Sequence, residues 1–304
     1  MTRTVTVGLD GSAESRAAAE WAAREAELLG LPLKLLQVWE PVPEPMAQAP
    51  LLGSETHQHW TDRITREAAA DIARRHPGLE VITEQLSGTP GEVLANAAKD
   101  AELLVLGSRA LGGVAGFMVG SVGLSVVAHA ERPVVLVRAG KQAADEHETD
   151  PAGSPSAATP FRPVVLGLDV ESPDEELIGF AFQAAARRGT TLRVVHGWTP
   201  PPYYTEAVTA DLVIQAPEAP ETLGEKTPLA EILLPWRQKF PGVEVTTECH
   251  CGTPADHLVD AAREASLLVV GRLIRRSPFG AHIGPVTHAA LHHATAPVAV
   301  VAHD

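Results

Sequence analysis

The run Val5-Thr6-Val7-Gly8-Leu9-Asp10 returns later in the chain as Val164-Val165-Leu166-Gly167-Leu168-Asp169. A chain that repeats itself has to fold as copies of one unit, so the repeat limits the fold before any composition is considered. The offset of 159 holds without a gap through Gly30/Gly189, Leu33/Leu192, Trp39/Trp198 and Pro41/Pro200. Farther on, Pro77-Gly78 matches Pro241-Gly242 and Gly88-Thr89-Pro90 matches Gly252-Thr253-Pro254, now at an offset of 164. That register continues through Leu94/Leu258, Gly107/Gly271, Gly120/Gly284 and Pro133/Pro297. One insertion of five residues between Pro200 and Pro241 reconciles the two registers. The copies are expected at 1–139 and 161–304, and 304 residues suit two domains of ordinary size. Residues 140–160 are polar and rich in Pro, Gly and Ser with no apolar periodicity, which predicts a flexible linker.

Within a copy, short apolar runs alternate with helical spacing. Val5–Leu9, Leu33–Val38, Val81–Leu86, Leu103–Leu106 and Val134–Val137 read as strands, and their lack of polar alternation suits a parallel sheet buried on both faces. Ser15–Leu29, Thr56–Arg75, Glu92–Lys99 and Val122–His129 read as helices, with Gly30 placed as a C-cap and Pro90 at a helix start. The alternation predicts an α/β fold: two tandem, open, doubly wound sheets of five parallel strands each. Ligands of such sheets bind beyond the carboxyl ends of the strands, where the winding direction switches.

A formal net charge of −14 argues against a general nucleic-acid or anionic-membrane surface. No run of about 18 apolar residues is present, so no membrane-spanning helix is expected. Met1 to Val5 leads straight into a strand pattern and leaves no room for a signal peptide. The two cysteines, Cys249 and Cys251, are too close together for a disulfide framework, and a reducing cytoplasm is the expected location.

Two segments of the first copy fall at the expected strand ends. One is Asp10-Gly11-Ser12; the other runs from Gly107-Ser108-Arg109-Ala110 to Gly120-Ser121. Glycines let backbone approach a ligand closely, and Gly120-Ser121 opens a helix whose free N–H groups suit an anion. Asp10 suits a ribose or base better than a phosphate. The competing reading is that the glycines merely serve a long loop and that Asp10 caps the next helix.

The strand ending in Asp10, the strand ending Gln37-Val38-Trp39 and the Gly-rich loop into Gly120-Ser121 resemble the universal stress protein family, in both copies. The ATP-binding branch of that family carries Gly, two residues, Gly, nine residues, then Gly followed by Ser or Thr. The resemblance implies ATP, with Mg as a possible companion, held without a Walker lysine, and domains that pair through their last strands. It assigns Asp10 to the adenosine, the Val38 backbone to adenine, Gly107 to the ribose and phosphates, and Gly120 and Ser121 to the phosphates. Arg109 would add a phosphate contact or stand as an exposed loop residue. Ala110 replaces the second glycine, which would cost about 1 kcal/mol if positive φ is needed there.

The second copy keeps Asp169, Gly271 and Gly284 but carries Ile274 for the second glycine and Pro285 for the Ser/Thr. Pro285 removes a hydroxyl and an N–H together. Val170-Glu171 stands in place of Gly11-Ser12 and brings a carboxylate toward the phosphates. Arg272, Arg275 and Arg276 could hold an anion by other means, so this copy is expected to be the weaker or degenerate site.

Cys249-His250-Cys251 with His257, and His288, His292 and His293 with His282, are spacings that do not by themselves bring three or four metal ligands together. The cysteine pair also allows a redox role. No catalytic triad, paired carboxylates or Walker lysine stands out, which argues against fast hydrolysis. The chain is therefore expected to be an ATP-binding stress-response regulator or sensor with little turnover. A nucleotide-independent dimeric interaction module and a slow ATPase are the alternatives. Self-association is expected through Val134–Val137 and Val298–Val301, within the chain, between chains, or both.

Overall fold

A computed structural model of the protein describes residues 3–40, 54–110, 117–198, 226–274 and 283–304, with side chains omitted at 54–62, 109–110, 117–118 and 226–227. The first half runs β1 (Thr4–Leu9), α1 (Ala13–Leu29), β2 (Leu33–Trp39), α2 (Ser54–Arg75), β3 (Val81–Ser87), α3 (Pro90–Ala97), β4 (Ala101–Ala110), β5 (Phe117–Met118), α4 (Ser121–His129) and β6 (Val134–Arg138). The second half runs β7 (Val164–Gly167), α5 (Glu175–Arg188), β8 (Leu192–Trp198), α6 (Lys226–Lys239), β9 (Val245–Cys251), α7 (Pro254–Ala261), β10 (Leu267–Leu273), α8 (Pro285–His293) and β11 (Val298–His303).

The strands lie in the order β3-β2-β1-β4-β6-β11-β10-β7-β8-β9, with β5 paired off β4. Each half is thus the expected open, doubly wound sheet of five parallel strands, and β1 and β4 flank the switch in winding direction. Val5, Val7, Leu104, Val105, Val134 and Val135 are all buried, as strands covered on both faces must be. Ser12 caps α1 by accepting from the Ser15 N–H at 3.1 Å, and Gly30 ends it in the left-handed region at φ 63°. The inner face of α1 is alanine (Ala18, Ala19, Ala22, Ala23, Ala26), so the helix lies close to the sheet.

The two halves join through their last strands. β6 and β11 run antiparallel, with Val298 opposite Leu136 and Val300 opposite Val134. Their other edges are taken by β4 and β10. The expected last-strand pairing is therefore present within the chain, and these two strands keep no free edge for pairing with a second chain.

Two buried arginines fasten the seam. Arg138, at the end of β6, donates to the carbonyls of Ala294 (2.5 Å) and Leu291 (3.2 Å) at the C-terminus of α8. Arg272, in β10, donates to the Ala130 carbonyl at the end of α4. Cations suit helix C-termini, whose last carbonyls lack partners. Burial draws the Arg138 pKa down to about 10.

Residues 140–160, expected to be a flexible linker, carry local structure and contacts to both halves. Ala143–Glu146 form a 3-10 turn, and His147 bridges to Phe161. Buried Glu146 takes Arg24 of α1 at 2.5 Å. Its carboxyl is pushed above the ordinary range by burial, against the pull of Arg24 and Arg188. Composition alone hides this, because a few anchors are enough to fix a polar segment against folded neighbours.

Candidate functional site

A cleft of about 420 Å³ opens at the carboxyl ends of β1 and β4. Its apolar floor is Leu36, Leu94, Leu106 and Val119, and Asp10, Val38, Gly107, Gly120 and Ser121 line it as well. Those five predicted residues, remote in sequence, share one cavity because the switch point brings their strand ends together. The volume falls within the range of small-molecule sites.

Asp10 accepts from the Ser12 N–H (2.9 Å) and hydroxyl (2.5 Å), which holds the turn after β1 in place. The helix cap is Ser12 and not Asp10, so the competing reading of Asp10 as the α1 cap does not hold. Gly120 is the N-cap of α4 and supplies no side-chain hydrogen bond, and Gly120 and Ser121 are both exposed. The first N–H groups of α4 therefore face the cleft with no cap, the electrostatic setting for an anion. Glu14, in the first turn of α1, also lines the cleft, and the sequence reading did not single it out. Its place in the turn directly after Asp10-Gly11-Ser12 was the available signal. The described lining holds two carboxylates and no basic side chain; the side chain of Arg109 lies outside the described ones.

Gly107 lines the cleft, but packing explains why it is glycine. A Cβ there would lie 2.5 Å from the Glu14 carbonyl carbon and 2.7 Å from the Ser15 nitrogen. β4 and the start of α1 meet backbone to backbone. Ala110 ends β4 opposite Phe117, an extended setting that alanine adopts without strain, so the penalty attached to positive φ does not arise.

Among the described residues, the same region of the second half carries different contacts. Asp169 keeps its turn, accepting from the Glu171 N–H at 3.0 Å. Gly197, the counterpart of Val38, sits so close to α7 that a Cβ would lie 2.6 Å from the Pro254 Cα. Thr287, the counterpart of Gly123, hydrogen-bonds the Gly271 carbonyl at 2.7 Å. Gly271 also packs beneath the His303 ring, 2.7 Å from where its Cβ would be. Ile274 donates its N–H to the His303 carbonyl at 2.6 Å, prolonging the β10–β11 ladder, where a β-branched residue is at ease. Arg272, one of three arginines that could have held an anion, is buried in the seam; Arg275 and Arg276 lie outside the described residues.

The histidines meet in pairs, and both cysteines are free thiols. His250 and His257 stack at 4.8 Å, and His288 and His292 lie 4.3 Å apart. Among the described residues no group of three or more His, Cys, Asp or Glu could hold a metal. His282 lies outside the described residues. Among the described residues, no helix is long and apolar enough to cross a membrane.

A universal stress protein of Mycolicibacterium smegmatis is 32% identical over 305 residues, covering 98% of this chain and 96% of that protein. One from Mycobacterium tuberculosis is 32% identical over 310 residues, covering 97% and 96%. A crystal structure of a universal stress protein from Archaeoglobus fulgidus shares the fold over 99% of this chain and 98% of that one, with a TM-score of 0.70 and 15% identity. The profile of the universal stress protein family matches twice, over residues 1–138 and 160–302, on either side of the segment that joins the halves. With one match per half and relatives similar along nearly the whole length, the chain belongs to the universal stress protein family as a tandem of two family units.

Proposed function

We propose that the protein binds one ATP, as its magnesium complex, in the cleft of the first half and serves as a nucleotide-responsive regulator of the stress response with little turnover. The observation that carries this reading is the meeting of Asp10, Val38, Gly107, Gly120 and Ser121 around one cavity beside the uncapped start of α4. The triphosphate would rest on that helix start, and the Asp10 carboxylate is suited to accept from a ribose hydroxyl. Asp10 and Glu14 would repel a bare polyanion, so a divalent cation between carboxylates and phosphates fits the lining better. In the second half the close Gly197–Pro254 approach and Thr287, which stands where the first half has Gly123, crowd the equivalent region and support a single functional site.

Calorimetric titration of the full chain tests this. Binding of MgATP at one site per chain is expected, with weaker binding when EDTA removes the metal. Gly120→Val should lower affinity at least tenfold, since it obstructs a helix start whose charge-assisted bonds are each worth about 1.5–3 kcal/mol. Gly284→Val should leave binding unchanged. Loss of binding with Gly284→Val and retention with Gly120→Val would reverse the assignment of the halves. Steady-state hydrolysis should stay well below the enzymatic median of roughly 10 per second.

A further inference from the structure

A second and larger cleft, about 680 Å³, lies on the other side of the first half's sheet, between α1, α2 and the segment that follows β6. The repeat shows how its helical wall differs from the equivalent one. Along the inner face of α6, Leu229, Ile232, Leu233, Trp236 and Phe240 pack toward α5, where Phe182, Trp236 and Phe240 stack with centroids 5.6–6.3 Å apart. The matching residues of the first half are Thr65, Ala68, Ala69, Ile72 and His76, with Ala23 in place of Phe182. The same helix pair is plugged with aromatics in one half and built from small side chains in the other. Of those first-half positions Ala68 and Ile72 line the cleft, while Ala23 and His76 are buried beside it.

The chemistry of the cleft is amphiphilic. Its walls are aliphatic, with Leu9, Ala19, Ile64, Ala68 and Ile72 among them. Its charged lining is five basic side chains against three acidic ones. The acids are already engaged: Glu20 with Arg75 and His76, Glu67 with Arg63, and Asp71 with Arg74. Arg24 is held by Glu146. Lys141 is half-buried, and its ammonium makes no hydrogen bond or ion pair with any described residue. Arg16 is exposed and spends one N–H on the Gly11 carbonyl at 2.8 Å.

We infer that this cleft is a binding site for a small amphiphilic anion, an aliphatic body carrying a carboxylate, whose head group pairs with Lys141 and Arg16. The site stands apart from the nucleotide reading, because its lining shares only Leu9 and Ser15 with the smaller cleft. It also borders that cleft at one point. Arg16 holds the Gly11 carbonyl, in the middle of the turn that carries Asp10. A head group that draws Arg16 away changes the support of that turn.

Decanoate and 8-anilinonaphthalene-1-sulfonate serve as probes of the full chain. The dye should fluoresce at one site per native chain and be displaced by decanoate. Ala68→Trp, which restores bulk to the cleft wall, and Lys141→Glu, which reverses the head-group charge, should each weaken decanoate at least tenfold with an unchanged thermal midpoint. Gly120→Val should leave decanoate affinity intact, which separates this site from the nucleotide cleft. Absence of decanoate binding at millimolar concentration would refute the site. So would full affinity in both cleft variants, or displacement of the dye by MgATP instead of decanoate.

Discussion

A methyl group at residue 107 and one at residue 120 would meet opposite surroundings. At Gly107 it would press on the Glu14 and Ser15 backbone at 2.5–2.7 Å, whereas at Gly120, with φ −62°, no atom lies within 4 Å. Gly107→Ala should therefore lower the unfolding free energy by about 1–3 kcal/mol, since backbone cannot give way as a flexible side chain can. Gly120→Val should stay within about 0.5 kcal/mol of the parent protein. Urea midpoints of the two variants check both expectations. The contrast shows how far the sequence could be read at this scale. The glycine spacing marks both positions as part of one site, because each follows a strand end or opens a helix. It cannot separate a glycine that admits a ligand from one that admits a helix, since the α1 backbone reaches Gly107 from more than ninety positions away. Arg272 failed for a related reason: the loop reading saw three arginines in five residues, and only the fold shows one of them turned into the seam.

Strands and helices were the most legible elements, because apolar runs and caps are local. Less legible are the contacts of 140–160, which carries few apolar residues and meets its neighbours through Glu146 and His147. A different local device works on the second half's outer strands. Arg193 of β8 holds Glu248 of β9 at 2.5 and 2.8 Å, and that hydrogen bonding keeps the Glu248 carboxyl below its ordinary value, with His250 assisting. A carboxyl with a depressed folded pKa contributes stability that is fully present above its unfolded value near 4.5 and is lost as pH falls through the folded value. The acid loss of stability should thus include a step below pH 4.5 that Arg193→Met weakens. Thermal midpoints taken from pH 6 down to pH 3 would show it, and identical curves for the two proteins would count against the pair. The contribution is modest, because both side chains stay more than a quarter exposed.

At the level of the molecule, the seam between the halves is held by pairs that the repeat does not duplicate. Arg138 has Ala302 as its counterpart, and Arg272 has Ser108. Glu25 of α1, 2% exposed, meets Arg188 of α5 at 2.5 Å, and Ala184 stands at the position equivalent to Glu25. Removing one member of a buried pair leaves the other charge stranded, so Glu25→Ala should lower stability by about 3–5 kcal/mol, and Glu25→Leu with Arg188→Met should regain most of that. Equilibrium denaturation of the single and double variants measures it; a single variant as stable as the parent would remove the pair from the account. The antiparallel meeting of β6 and β11 has one further consequence. Because both strands belong to one polypeptide, their contact forms at a fixed local concentration and does not weaken on dilution. Two identical subunits would carry every substitution twice, so one cleft could not close without closing its twin. Joined end to end, the halves are released from that constraint, and under the proposed reading MgATP should titrate as a single class of sites, hyperbolic in free ligand and independent of how dilute the chain is.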